Sequence, residues 1–441
     1  MRTLCFAAMV TLICAAAQAA EPSSAIYDRD PEHVWNRLYR AIAVRTEAGV
    51  DFGMDNSEPY QNRFDDPKTL IAILDEFLRT RGEDRAPGNL QRALLLNDVW
   101  AAFDLAASTE VGPDGASLRP RLARVIERLR MHSSDISSLP DNYSAAVKSA
   151  TFAADFDPEH PDRAFLPPDL LDAKGQWVEI GEDGLGAVAP FHLRMVSGRS
   201  VFRVFIRCPG GREATLSYLE TLNLYLTPWA LEPAGIGTRY PSQEKARGNP
   251  LRLDRGTPQF PAGTIVALVR QMMVIDHEIN PVLTSIIQKV QFRVFKGVGK
   301  SVYLRDRSEF NSHQLGYELV MRRRDLLAGR AGGFHFVTPD ETEYQLTTIL
   351  QGGSREAQLR GPVVLSTCAR CHSPNGIFSV NTYTGFLSAV SSASAKANPQ
   401  LLPATSIGYQ ANATADWKTS QFNWGLLKGL LEAEVPARLA H

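Results

Sequence analysis

The period of the apolar residues changes along this chain, and that change constrains the fold more than any other feature. From about 25 to 150 they recur every three to four positions, as in Val34, Trp35, Leu38, Tyr39 and Ile42, or Leu70, Ile73, Leu74, Phe77 and Leu78. Such spacing lines one side of a helix. Leu90, Leu94, Trp100 and Phe103 continue the pattern, as do Leu122, Val125, Ile126 and Leu129. Asp30-Pro31 and Asp66-Pro67 each place an N-cap acceptor before a first-turn proline, and so mark two helix starts.

Between about 155 and 175 the Asp-Pro, Pro-Asp and Pro-Pro pairs read as a linker or an irregular docking arm. Beyond them the period moves towards two. Ser200–Cys208, Thr264–Ile275, Ile286–Phe295 and Tyr317–Arg323 are β-branched and aromatic-rich, with Pro209-Gly210-Gly211 and Asp276–Pro281 as hairpin connections. The last hundred residues return to helix and loop and end on an amphipathic segment with Leu426, Leu427, Leu430 and Leu431. The expected class is α+β. A helical bundle spans 20–154, a Pro-rich linker 155–175, an antiparallel β-rich domain 176–340 and a mainly helical section 341–441. With 441 residues, 44% of them hydrophobic, the chain can bury cores of this size.

Residues 1–19 read as a cleavable signal peptide. Arg2 precedes an apolar run from Leu4 to Cys14, and the small-residue triplet Ala17-Gln18-Ala19 follows. That run is too short to span a bilayer, and no later stretch approaches the roughly 18–20 apolar residues required. The expected location is the periplasm or the medium of a bacterium. Cleavage would remove Cys5 and Cys14 and leave Cys208, Cys368 and Cys371. Cys208 follows Val204-Phe205-Ile206 and reads as a buried strand thiol. A formal net charge of -1 gives no electrostatic argument for nucleic acid as a partner.

The two remaining cysteines stand in Cys368-Ala369-Arg370-Cys371-His372. Covalent haem of the c type needs two thiols to add to the porphyrin vinyl groups and an imidazole beside them to bind iron. On a helix beginning near Pro362, the three side chains would share one side at i, i+3 and i+4. A structural zinc site would need two further ligands, and a redox disulfide would normally stand in a thioredoxin-like setting. Neither fits the surroundings as well as one covalent haem c held by Cys368, Cys371 and His372.

Through these residues, and the lead-in Gly361-Pro362-Val363-Val364-Leu365-Ser366, the chain resembles the c-type cytochromes. Leu139–Tyr143 and Gln259–Thr264 resemble segments of large exported single-haem proteins of bacteria. The resemblance implies electron transfer with a periplasmic redox partner. It also implies a methionine some tens of residues after the motif as second axial ligand, and here no methionine follows His372. His441 ends the chain and would fray. The sixth ligand then comes from upstream, is a lysine such as Lys418 or Lys428, or is absent.

Among upstream residues His335, after Gly332-Gly333, is the candidate second ligand; His277 reads as an exposed turn residue, Met321 as core packing, and His313 has nothing distinctive nearby. An absent ligand would make the protein an open-site haem enzyme or a sensor of peroxide or nitric oxide. A third reading makes the haem a staple in a binding protein. Gly299-Lys300-Ser301 and Gly352-Gly353-Ser354 lack the flanking order of a phosphate loop or a hydrolase elbow. Arg322-Arg323-Arg324 reads as a solvated strand edge.

Overall fold

The structure is a computed structural model. It describes residues 25–47, 50–53, 66–107, 112–181, 186–225, 229–231, 251–253, 256–297, 313–338, 342–343, 361–362, 376–380, 401–406 and 408–433, with Asp55, Phe64, His372 and Tyr383. The proposed signal peptide, Cys368, Cys371, Gly299-Lys300-Ser301 and Gly352-Gly353-Ser354 lie outside these residues.

Helices form where the three-to-four spacing stands: α1 Val34–Ala43, α2 Pro67–Arg79, α3 Asn89–Ala107 and α4 Gly112–Leu129. Asp66 caps α2 as expected, accepting from the Thr69 N–H at 3.0 Å. The other capping expectation fails. α1 begins at Val34 with His33 as its N-cap, because Asp28 and Asp30 are held in a turn by the Asn36 amide, which donates to both carbonyls at 2.7 Å. Two short helices follow, α5 Ser133–Ser137 and α6 Asn142–Lys148.

The alternating segments form a six-stranded antiparallel sheet in the order β10-β9-β8-β7-β4-β3. Its strands are β3 Val178–Ile180, β4 Ser200–Arg207, β7 Ile265–Ile275, β8 Pro281–Phe295, β9 Gln314–Met321 and β10 Phe334–Phe336. Three two-stranded ribbons complete the β structure: β1 Arg45–Glu47 with β2 Val50–Phe52, β5 Trp229–Leu231 with β6 Leu251–Leu253, and β11 Thr342–Glu343 with β12 Gly361–Pro362. Helices α7 Pro190–Met195 and α8 Gly211–Asn223 flank β4. α9 Arg323–Leu327 follows β9, and α10 Tyr409–Thr419 and α11 Phe422–Glu432 end the described chain. Asp276–Asn280 makes the β7–β8 hairpin, with the Asp276 carboxylate accepting from the Glu278 and Asn280 N–H groups.

Pro209-Gly210-Gly211 makes no hairpin. Gly210, at φ +92°, is the N-cap of α8. The residues after it carry Thr215, Leu219 and Leu222 at helical spacing, and these bury against the sheet, so the chain leaves β4 as a helix. The Thr215 hydroxyl clasps the junction by accepting from the Cys208 N–H at 2.8 Å and donating to the Gly211 carbonyl at 2.8 Å. Residues 363–371, over which a helix from Pro362 was expected, lie outside the described residues, and Pro362 itself is extended. It lies in β12, paired with Thr342, in a ribbon whose edge tolerates a missing N–H.

One sheet face carries the cross-strand row Phe205, Ala267, Phe292 and Tyr317. The Pro-rich segment docks there through Phe165, Leu166 and Leu170, joined by Trp177 just after it, so it is a docking arm. α6 joins it, and its Asn142 repairs the ladder where the β7–β8 register slips. The amide oxygen accepts from the Ile287 N–H at 2.7 Å, and the amide nitrogen donates to the Ile287 and Gly332 carbonyls at 3.0 Å. Asn142→Ala is expected to strand these buried groups and lower stability by about 1–3 kcal/mol, measured by urea unfolding. The opposite face packs on Phe260, Ile377, Phe378, Tyr383 and Leu401, with α7 and α8. Beyond the sheet, α1–α4 and α11 share a core with Val201, Met272–Ile275, Ile286 and Met321.

Arg323 is no solvated edge. It is fully buried, and its guanidinium donates to Asp98 Oδ1 at 2.5 Å and to the Tyr27 hydroxyl at 2.7 Å. The reason lies on α3, which is buried nearly all round and must find internal partners for its polar residues. Asp98 takes Arg323, while Asp104 takes Arg199 at 2.9 Å and Lys418 at 2.7 Å.

Candidate functional site

His372 is held on the sheet face opposite the docking arm by a short 3-10 turn, Gly376–Ser379. The turn is anchored by what its apolar residues bury: Ile377 and Phe378 enter the core with Ile206, Val266, Phe260 and Phe295. Polar contacts fix its register. Gln259 Oε1 accepts from the Ile377 N–H at 3.2 Å, and Arg293 Nη1 donates to Ser379 Oγ at 2.7 Å. The Gln259–Thr264 segment is thus part of the scaffold of the site.

The decisive contact is between His372 Nδ1 and the Ser379 carbonyl oxygen, at 2.6 Å. A carbonyl oxygen only accepts, so Nδ1 carries the proton. Burial, with Arg293 adding to it, holds the imidazole pKa well below the ordinary value, so the ring is neutral. A neutral ring with its proton on Nδ1 presents the Nε2 lone pair. That arrangement, with one nitrogen tied to a backbone carbonyl and the other free to coordinate, is how proteins orient a metal-binding histidine.

A second histidine lies beside it. His192 is on α7, which starts at Pro190 and packs on β4, and its ring stands over Phe202 with centroids 5.5 Å apart. The loop before α7 is pinned from the other side, where the Val188 N–H donates to Gln410 Oε1 at 2.9 Å. The His192 and His372 rings are 6.3 Å apart between centroids, with planes 31° from parallel. Burial first, then Arg293, Lys289 and Arg270, push the His192 pKa down to about 4. Those cations share this sheet face: Arg270 and Lys289 are cross-strand neighbours, and Arg293 lies farther along β8. Lys289 pairs with buried Glu318.

The other expected ligands lie elsewhere. Lys418 is buried against Asp104, with its ammonium 5.0 Å from the centre of the Trp100 ring. Lys428 is exposed and faces Glu432. Met321 is wholly buried in the helical core, and His277 is exposed on its turn, against His132. His313 precedes β9, and its carbonyl accepts from the Lys296 N–H at 2.9 Å. His335 is on β10, paired with Val320, at the far end of a cross-strand row that runs Phe202, Arg270, Lys289, Val320, His335. At about 4.8 Å per strand that row is about 19 Å long. His335 therefore shares the sheet face with the site, but the floor under His192 is at the opposite end. Cys208 is a buried free thiol whose pKa burial raises, as its sequence context implied.

Sequence reasoning passed over His192. It stands far upstream of the motif, in a segment with no ligand spacing, and only its position after Ala189-Pro190 hinted at a helical first turn. No cluster of three or more His, Cys, Asp or Glu able to hold a bare metal ion occurs among the described residues. Nor, among them, is any helix long and apolar enough to cross a membrane. Comparison with family models, with curated proteins and with solved structures gave no match.

Proposed function

We propose that this chain is an exported protein that carries one covalent haem c and transfers electrons through it. Cys368 and Cys371 would supply the thioether sulfurs and His372 the iron ligand, with a periplasmic redox partner. The single observation that carries the reading is the His372 Nδ1 contact with the Ser379 carbonyl, because it leaves Nε2 as the free donor directly after two cysteines at haem-attachment spacing. The donor set fits the group: an oriented neutral imidazole, an apolar wall of Phe202, Ile377 and Phe378, and nearby cations able to meet the propionate carboxylates. A bound haem would supply one-electron chemistry at its iron, with axial ligation, burial and local charge setting its potential.

The test is expression with the cytochrome c maturation machinery, followed by a denaturing gel stained for haem and an intact mass. The expected result is a stained band and a mass increased by one haem. A colourless chain of unmodified mass from that strain would defeat the proposal.

A further inference from the structure

We infer that His192 is the second axial ligand, so that the haem iron is held between His192 of α7 and His372. This inference rests on the haem reading above. A metal–imidazole bond is about 2 Å long, so two imidazoles held end-on by one iron have ring centres about 6 Å apart. A direct N–H···N hydrogen bond of about 3 Å would draw the centres in to about 5 Å. The observed 6.3 Å is wider than direct bonding and matches ligation through one shared atom.

The surroundings are consistent with that role. Phe202 fixes the His192 ring from below, and the Gln410 bond fixes the loop that leads into α7. The carbonyl of Ser379 fixes the His372 ring. The alternatives from the sequence are engaged or distant: Lys418 with Asp104, Met321 in the helical core, and His335 at the other end of the Phe202 row. Two strong-field imidazoles make a six-coordinate iron that leaves no position for carbon monoxide or peroxide, which favours electron transfer over open-site chemistry.

The test begins with matured wild-type protein, whose haem content is measured first on the denatured polypeptide. The ferrous form is expected to be low-spin with an absorption spectrum unchanged by carbon monoxide, and the ferric form to give the electron paramagnetic resonance of a bis-imidazole haem. His192→Gly is expected to keep its covalent haem, become high-spin, bind carbon monoxide, and return to low-spin on adding imidazole. His335→Gly is expected to match wild type. Haem-loaded wild type that already binds carbon monoxide, or loaded His192→Gly that stays low-spin, overturns the ligand assignment and leaves the haem reading standing. A high-spin His335→Gly beside a low-spin His192→Gly moves the ligand to His335. A colourless wild-type chain removes the haem reading and the assignment together.

Discussion

Arg323→Ala is expected to lower the stability of the protein by about 3–5 kcal/mol, the range for breaking a buried ion pair. Both partners are almost completely shielded, with side-chain exposures of 1% and 0%, so solvent does little to screen the loss. The substitution takes the guanidinium away from buried Asp98, which still accepts from the Tyr27 hydroxyl at 3.1 Å, and from its place 4.7 Å from the centre of the Tyr39 ring. It also unties three parts of the chain. Arg323 begins α9 just beyond β9, Asp98 is on α3, and Tyr27 belongs to the segment before α1. Urea unfolding followed by far-ultraviolet circular dichroism would measure the change. Arg323→Met combined with Asp98→Leu is expected to recover most of it, since no charge is then left without a partner. A single variant within about 0.5 kcal/mol of wild type would mean that the pair carries none of this load.

That ion pair marks where sequence legibility ends. The long helices and strands were readable because burial repeats along the chain: Leu70, Ile73, Leu74 and Phe77 report a helix, and Val201, Phe202, Val204, Phe205 and Ile206 a strand buried on both faces. A partner across the fold leaves no such record. Arg322-Arg323-Arg324 looks the same whether it is solvated or sealed. The usable signal was on the other side, in Asn97, Asp98 and Asp104 within the apolar stretch of α3, since a helix buried all round must satisfy its polar residues internally. A short edge such as β3 also escaped, because three residues carry too little alternation to be distinguished.

The candidate site divides in the same way. The proposed attachment triplet is local, so its spacing alone nominated Cys368, Cys371 and His372. The tautomer of His372 depends on a carbonyl seven residues later, and the second histidine depends on sheet topology. Gly332-Gly333 made His335 attractive as a flexible reach, yet Gly332 serves a different need. At φ +61° it lets the chain pass against the Asn142 carbonyl, where a Cβ would collide. The histidine that the fold places beside His372 is His192, on a helix packed against the sheet.

Cys368→Ala combined with Cys371→Ala is expected to abolish haem staining on a denaturing gel completely. Thioether bonds survive denaturant, whereas bonds from iron to imidazole depend on the folded geometry that denaturant removes. The same double variant, kept native, is expected to retain affinity for added haem if His372 and His192 both ligate it, because neither imidazole is touched. Each single variant keeps one sulfur and is expected to stain more weakly than wild type. The comparison would separate two contributions of the proposed site: permanent attachment, expected from the cysteines, and the spin state of the iron, expected from the histidines. Colour that remained on the denatured double variant would place the attachment elsewhere on the chain. Loss of staining with native haem binding preserved would assign permanence to the sulfurs and coordination to the imidazoles.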